Sequence, residues 1–140
     1  MNVLIALFWP THRAHKHALR WFARNSRHGW ATCPFTQAGF VRVVSHPAFS
    51  ADAVSPQEAN QLLGRSLKHS AHRFWEATIS YADAVEEFGS RLVGHRQVTD
   101  AYLLGLTMHY GGKLATLDKG IQALLPPGHH SHSFIEFLGE

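Results

Sequence analysis

Apolar and polar positions along this 140-residue chain switch period several times, alternating helical stripes with brief apolar runs. Asn2 to Phe8 is an apolar run whose periodicity does not separate buried strand from buried helix, and Pro10 breaks it. Thr11 can then cap a helix that gathers Ala14, Ala18, Leu19, Trp21 and Phe22 on one broad face, with histidines and arginines opposite. Asn25 to Gly29 reads as its exit turn. Trp30-Ala31-Thr32-Cys33 is a strand candidate ended by Pro34. Helical spacing resumes from Thr36 to Val44 through Phe40 and Val41, and His46-Pro47 stops it.

Ser55-Pro56-Gln57-Glu58 carries a full helix-start signature: a serine N-cap, proline in the first turn, and glutamate three residues after the serine. That helix is predicted to run through Leu62, Leu63 and Leu67, followed by a strand over His72 to Trp75 and a helix over Ala82 to Phe88. Thr99 can cap a helix bearing Leu103, Leu104, Leu106, Thr107 and Tyr110, closed by Gly111-Gly112. Lys113 to Leu117 is a compact strand ending in Asp118. Pro126-Pro127-Gly128 makes a turn, and Ser133 to Leu138 a last strand. Helices alternating with short apolar strands predict an α/β sandwich with a mainly parallel sheet. With no repeat, low-complexity tract or linker, residues 1–140 read as one domain.

Composition narrows the class. The chain is 45% hydrophobic and 16% charged, which suits a globular protein. No apolar run approaches the roughly 20 residues of a membrane helix, so no membrane role is expected. The opening run lacks the flanks of a signal peptide, and the single cysteine, Cys33, excludes an internal disulfide. A cytoplasmic location follows as the expectation. A net charge of +3 leans toward an acidic or nucleic-acid partner.

Two carboxylates carry the candidate chemistry. Asp118 directly follows a strand, where open parallel sheets bind their ligands. Asp100 lies in a helix's first turn, where the macrodipole favours the ionised form. Converging on one crevice, they would repel unless a hard cation such as Mg²⁺ lay between them. The plainer reading is that Asp100 stabilises a helix start and Asp118 a turn. Spacing alone does not choose between them.

The stretch GHRQVTDAYLLGLTMHYGGKLATLDKGI resembles the carboxyl-terminal half of VapC-type PIN domains, where a Thr-Asp-Ala-x-Leu helix precedes a Leu-Ala-Thr-x-Asp strand end. WATCPFTQAGFVRVVSHP is similar to the second strand and following helix of one branch of that family, and Asn2 to Leu7 to the start of its first helix. The resemblance implies a three-layer α/β/α sandwich and a Mg²⁺-dependent endoribonuclease, with Mn²⁺ as the alternative ion. It also implies a toxin held by a VapB-like antitoxin, and pairing into homodimers. Asp100 and Asp118 then match metal-binding acids, Asn2 the asparagine of an Asp-x-Asn motif that orders the site, and Thr116 a support for Asp118.

Two departures accompany the match. Gly39 stands where many members place a glutamate. The motif's aspartate would stand immediately before Met1, and the strand leading to it further upstream, so the resemblance implies an amino-terminally truncated PIN domain lacking its first strand. A GTG codon can encode valine or initiate translation, so Asp-Val-Asn is expected to have been read as a start at its valine. The alternative is an inactive PIN-like module that binds RNA or an antitoxin without cutting.

Arg42, His95, Arg96 and Lys119 are the basic candidates for phosphate contact, weighed against ordinary surface charge. His12, His15 and His17 are expected on solvated surface, because no nearby carboxylate or cysteine completes a zinc set, and His129, His130 and His132, which follow the Pro-Pro-Gly turn, in a surface loop. Cys33 and the four tryptophans are expected in the core or at an interface.

Overall fold

A computed structural model describes residues 1–139. The backbone gathers into two compact units, the first Met1–Glu76 and the second from Ala77 onward.

In the first unit, α1 (Asn2–Phe8) settles the ambiguous opening run as a helix, with Val3 to Leu7 all buried. Next comes α2 (His15–Asn25), a strand β1 (Trp30–Thr32), α3 (Pro34–Val44), α4 (Pro56–Ser66) and a strand β2 (His72–Phe74). Thr11 is not the cap of α2: that helix starts after Ala14, whose N–H is taken by His12 Nδ1 at 3.1 Å. His15 is likewise structural, its Nδ1 lying 2.7 Å from the Ala6 carbonyl and stitching α2 to α1. The solvated-surface expectation for these two histidines therefore fails, because each ring answers a backbone polar group. Burial and the neighbouring Arg13 and His15 hold the His12 imidazole below its ordinary pKa.

Pro34, expected only to end a strand, is the first residue of α3, where its missing N–H costs nothing. The start of α4 follows the sequence signature: Ser55 N donates to Glu58 Oε2 at 2.8 Å and Glu58 N to Ser55 Oγ at 3.2 Å. Leu4, Ile5, Trp9, Phe40, Val44, Ala59 and Leu63 form the core cluster. Phe40 is fully buried and meets Phe8 edge-on at 6.1 Å. Its truncation to alanine would cost about 3–5 kcal/mol. Cys33 is buried, as expected.

The second unit holds α5 (Tyr81–Val85), α6 (Val98–Tyr110), a strand β3 (Leu114–Thr116) and a strand β4 (Ile135–Phe137), joined by 3₁₀ turns. Residues Ala101 to Thr107 of α6 are all buried, which explains its apolar residues on every face. Gly105 is needed there, because a Cβ would collide with the Ala84 carbonyl of α5. Gly111, at φ +68°, terminates α6 in the left-handed conformation. The last strand is shorter than its apolar run, since Ser133 and Phe134 belong to a 3₁₀ turn.

Pairing is parallel throughout: Trp30–Thr32 with His72–Phe74, and Leu114–Thr116 with Ile135–Phe137. The parallel α/β character is therefore present. It takes the form of two separate two-stranded ladders where the sequence predicts one central sheet. Among the described residues no helix is long and apolar enough to cross a membrane.

Candidate active site

Asp100, Asp118 and Thr116 all belong to the second unit. Asp100 lies in the first turn of α6, as the sequence predicts, but Thr99 is not its cap. The helix instead grows out of a 3₁₀ turn over His95–Gln97, and Gln97 holds that entry. Its Oε1 accepts the N–H of Val93 at 2.9 Å and of Gly94 at 3.2 Å. Two tyrosines secure the same end. Tyr81 donates to the Val98 carbonyl at 3.2 Å and Tyr102 to the Ile79 carbonyl at 3.0 Å, with their rings stacked 6.1 Å apart.

Sequence reasoning missed these three positioning residues. Gln97 left a faint signal in the Gly94-x-x-Gln97 spacing, and the tyrosine contacts left none.

Asp118 leaves β3 two residues after Thr116 and caps the following 3₁₀ turn. Its Oδ1 accepts Gly120 N–H at 2.7 Å, and its own N–H donates to Thr116 Oγ1 at 3.0 Å. Thr116 is buried, so the carboxylate stands on a fixed support while itself exposed. Asp100 is half-buried. Burial pushes its carboxyl above the ordinary aspartate range, and the negative charge of Asp118 pushes the same way.

The basic candidates are distributed unequally. His95 and Arg96 are exposed on the turn that opens α6. Lys119 is exposed too, its ammonium lying 5.1 Å from the Phe137 ring centroid, a cation–π contact. Arg42 is exposed on α3 and Asn2 opens α1, both in the first unit. At Gly39 an added Cβ would collide with the side chain of Met1.

A family model described as PIN domain matches residues 1–124. The chain is 40% identical over 128 residues to ribonuclease VapC44 of Mycobacterium tuberculosis, spanning 91% of this chain and 89% of that protein. Ribonuclease VapC38 of the same organism is 40% identical over 124 residues, 89% of this chain and 86% of its own. Ribonuclease VapC29, also mycobacterial, is 42% identical over 123 residues, with 88% and 86% covered. With a family match across most of its length and relatives this similar along nearly all of theirs, the chain belongs to the PIN-domain family.

Proposed function

We propose that this chain is a metal-dependent endoribonuclease of the VapC type, hydrolysing RNA phosphodiester bonds at a site built on Asp100 and Asp118. The observation that carries this reading is the setting of the two acids within the second unit: Asp100, half-buried, lies in the first turn of α6, and Asp118 stands exposed after β3, on the buried Thr116. Two acids in that relation, one half-buried, fit a hard divalent cation that takes oxygen ligands. Asp100 and Asp118 would hold Mg²⁺, or Mn²⁺ of the same class. When bound, such an ion lowers the pKa of water and offsets charge on a phosphodiester.

The chain's own residues supply the positioning. Thr116 holds the backbone of Asp118 and the Gly120 amide its carboxylate, and Gln97 fixes the turn from which the helix bearing Asp100 grows. His95, Arg96 and Lys119 supply sequence-independent attraction for RNA phosphates. The mycobacterial relatives are named ribonucleases, which supports RNA as the substrate. A VapB-like antitoxin, homodimer formation and a cytoplasmic location complete the reading. Residues 1–140 then form one PIN domain with a three-layer α/β/α sandwich.

One observation favours the second reading, an inactive module that binds RNA or an antitoxin. Among the described residues no third acid, histidine or cysteine joins Asp100 and Asp118 in a ligand cluster. The experiment compares Mg²⁺-dependent RNA cleavage by residues 1–140 and by a chain extended upstream through the expected strand and aspartate, with Asp100→Asn as control. Cleavage by the extended chain, lost on Asp100→Asn, is the expected result. A folded extended chain that binds RNA or antitoxin but does not cut would overturn catalysis in favour of binding.

A further inference from the structure

Away from the acidic pair, two histidines and a glutamate of the second unit converge. Nε2 of His130 lies 3.6 Å from Glu87 Oε1, and Nε2 of His129 lies 3.9 Å from the same oxygen. The two imidazole rings are 4.3 Å apart, tilted by 34°. One ligand atom from each of the three residues falls within 4.8 Å of the others. Tetrahedral ligands at metal bonds of about 2.0–2.1 Å are separated by roughly 3.3 Å, so a small inward movement of exposed side chains closes the set.

Each ligand is held next to an anchor. Glu87 precedes Phe88, which is 1% exposed and whose N–H donates to the Val85 carbonyl at 3.0 Å. His130 precedes the fully buried Ser131. The loop between is fixed by Gly128 at φ +73°, by His129 N donating to the Pro126 carbonyl at 3.1 Å, and by His132 Nε2 lying 2.9 Å from that same carbonyl. Adjacent histidines in an extended segment would point apart. Here the turn sets both rings side by side, facing the carboxylate.

We propose that Glu87, His129 and His130 form a surface site for a borderline divalent transition metal ion, with Zn²⁺ as its representative. The donor set selects the ion: two imidazole nitrogens and one carboxylate suit Zn²⁺, Ni²⁺ or Cu²⁺, whereas Mg²⁺ prefers oxygen ligands. Three protein ligands leave a fourth position for water. As the loop stands, His129 Nδ1 accepts the Ser131 N–H at 3.2 Å, so its proton sits on Nε2. Coordination through Nε2 moves that proton to Nδ1 and gives up the Ser131 contact, with no net change in protonation. This site is separate from the acidic pair and does not depend on nuclease activity.

The test is a calorimetric titration of the chelator-treated chain with Zn²⁺ in excess Mg²⁺, which occupies carboxylate-only sites. A single saturable Zn²⁺ equivalent is expected, weakened at least about tenfold by His130→Ala and by Glu87→Gln, since losing a ligand costs no less than losing its outer support. His28→Ala, an exposed histidine of the first unit, serves as control and should titrate like the parent. Circular dichroism checks that the variants remain folded. No saturable Zn²⁺ binding, or binding that His130→Ala and Glu87→Gln leave intact, would overturn the site.

Discussion

The ends of β1 and β3 are built alike and put to different use. Each strand has three residues, pairs in parallel with a later strand, and ends in a buried threonine, Thr32 at 5% exposure and Thr116 at 6%. After β1 the polar groups satisfy one another. Thr32 Oγ1 lies 2.9 Å from His72 Nε2 and accepts the Gln37 carboxamide at 2.9 Å, while Thr36 Oγ1 accepts Cys33 N–H at 2.9 Å. After β3 the threonine instead accepts the Asp118 N–H, and the residue that caps the next element is an exposed carboxylate two residues on, whereas in the first unit it is a buried thiol one residue on. The strand end supplies a rigid frame in both units. Which residue caps the next element decides whether reactive chemistry emerges from it.

The largest effect should come from changing that cap. Asp118→Asn keeps a good helix-capping side chain, so the melting temperature should move by less than about 2 °C. RNA cleavage by the active chain should nevertheless fall by about 10²–10³-fold, the scale of losing one charge-stabilising group. Cys33→Ser, at the cap of the element after β1, should leave cleavage unchanged once folding is matched. If Asp118→Asn cuts at the parent rate, Asp118 is only a cap and the two strand ends do not differ in use.

Next in size is a contrast between two buried helical glycines. A methyl at Gly105 meets backbone, the Ala84 carbonyl, which cannot yield without moving α5; at Gly39 it meets only the flexible side chain of Met1. Both substitutions gain about 1 kcal/mol of helix propensity, so their difference isolates packing. Gly105→Ala should be the worse by about 1–3 kcal/mol in urea denaturation. Equal stabilities would show that α5 and α6 approach less rigidly than the geometry implies.

Smaller still is the exchange of the two strand-end hydroxyls. Thr116→Ala and Thr32→Ala each remove a buried hydroxyl that meets another polar group, costing about 1 kcal/mol apiece. Only Thr116→Ala should also slow cleavage, by several-fold, because only that hydroxyl supports a carboxylate. A matched loss of cleavage in both variants would point to stability as the common cause.

Where the sequence was readable, the determining contacts were local. Ser55 and Glu58 are three residues apart, and their reciprocal bonds form as the spacing predicts. Asp118 stood out because it terminates an apolar run, and Asp100 because it follows a turn and begins a long apolar helix. Thr11 and Thr99 were misread as caps for a related reason. Capping preference is local, but the helix starts were set by His12 in one case and by the 3₁₀ turn of Gln97 in the other. The tyrosine ties span 17 and 23 residues, and the meeting of Glu87 with His129 and His130 bridges about forty. No pattern of spacing encodes such pairs. Strand partnership is equally nonlocal, which is why two ladders were not distinguishable from one sheet.

The subtlest test concerns the second acid, because Asp100 and Asp118 differ in setting as much as the two strand ends do. Asp100 is half-buried, and its carboxyl is pushed up chiefly by that burial, with Asp118 a lesser push the same way. The folded state therefore holds this proton more tightly than the unfolded chain does. Its contribution to stability is present at low pH and is lost as pH rises from the unfolded aspartate value, about 3.9, through the raised folded value. At neutral pH the ionised form is a standing cost. Asp100→Asn should therefore melt about 1–3 °C higher than the parent at neutral pH without divalent ions, and should flatten the decline of stability across the mildly acidic range. Added Mg²⁺ should raise the parent's melting temperature and leave that of Asp100→Asn where it was, since a ligand stabilises only the state that binds it. A variant less stable than the parent at neutral pH would mean that Asp100 is a structural carboxylate. A strained pair that only a cation relieves would then no longer describe this site.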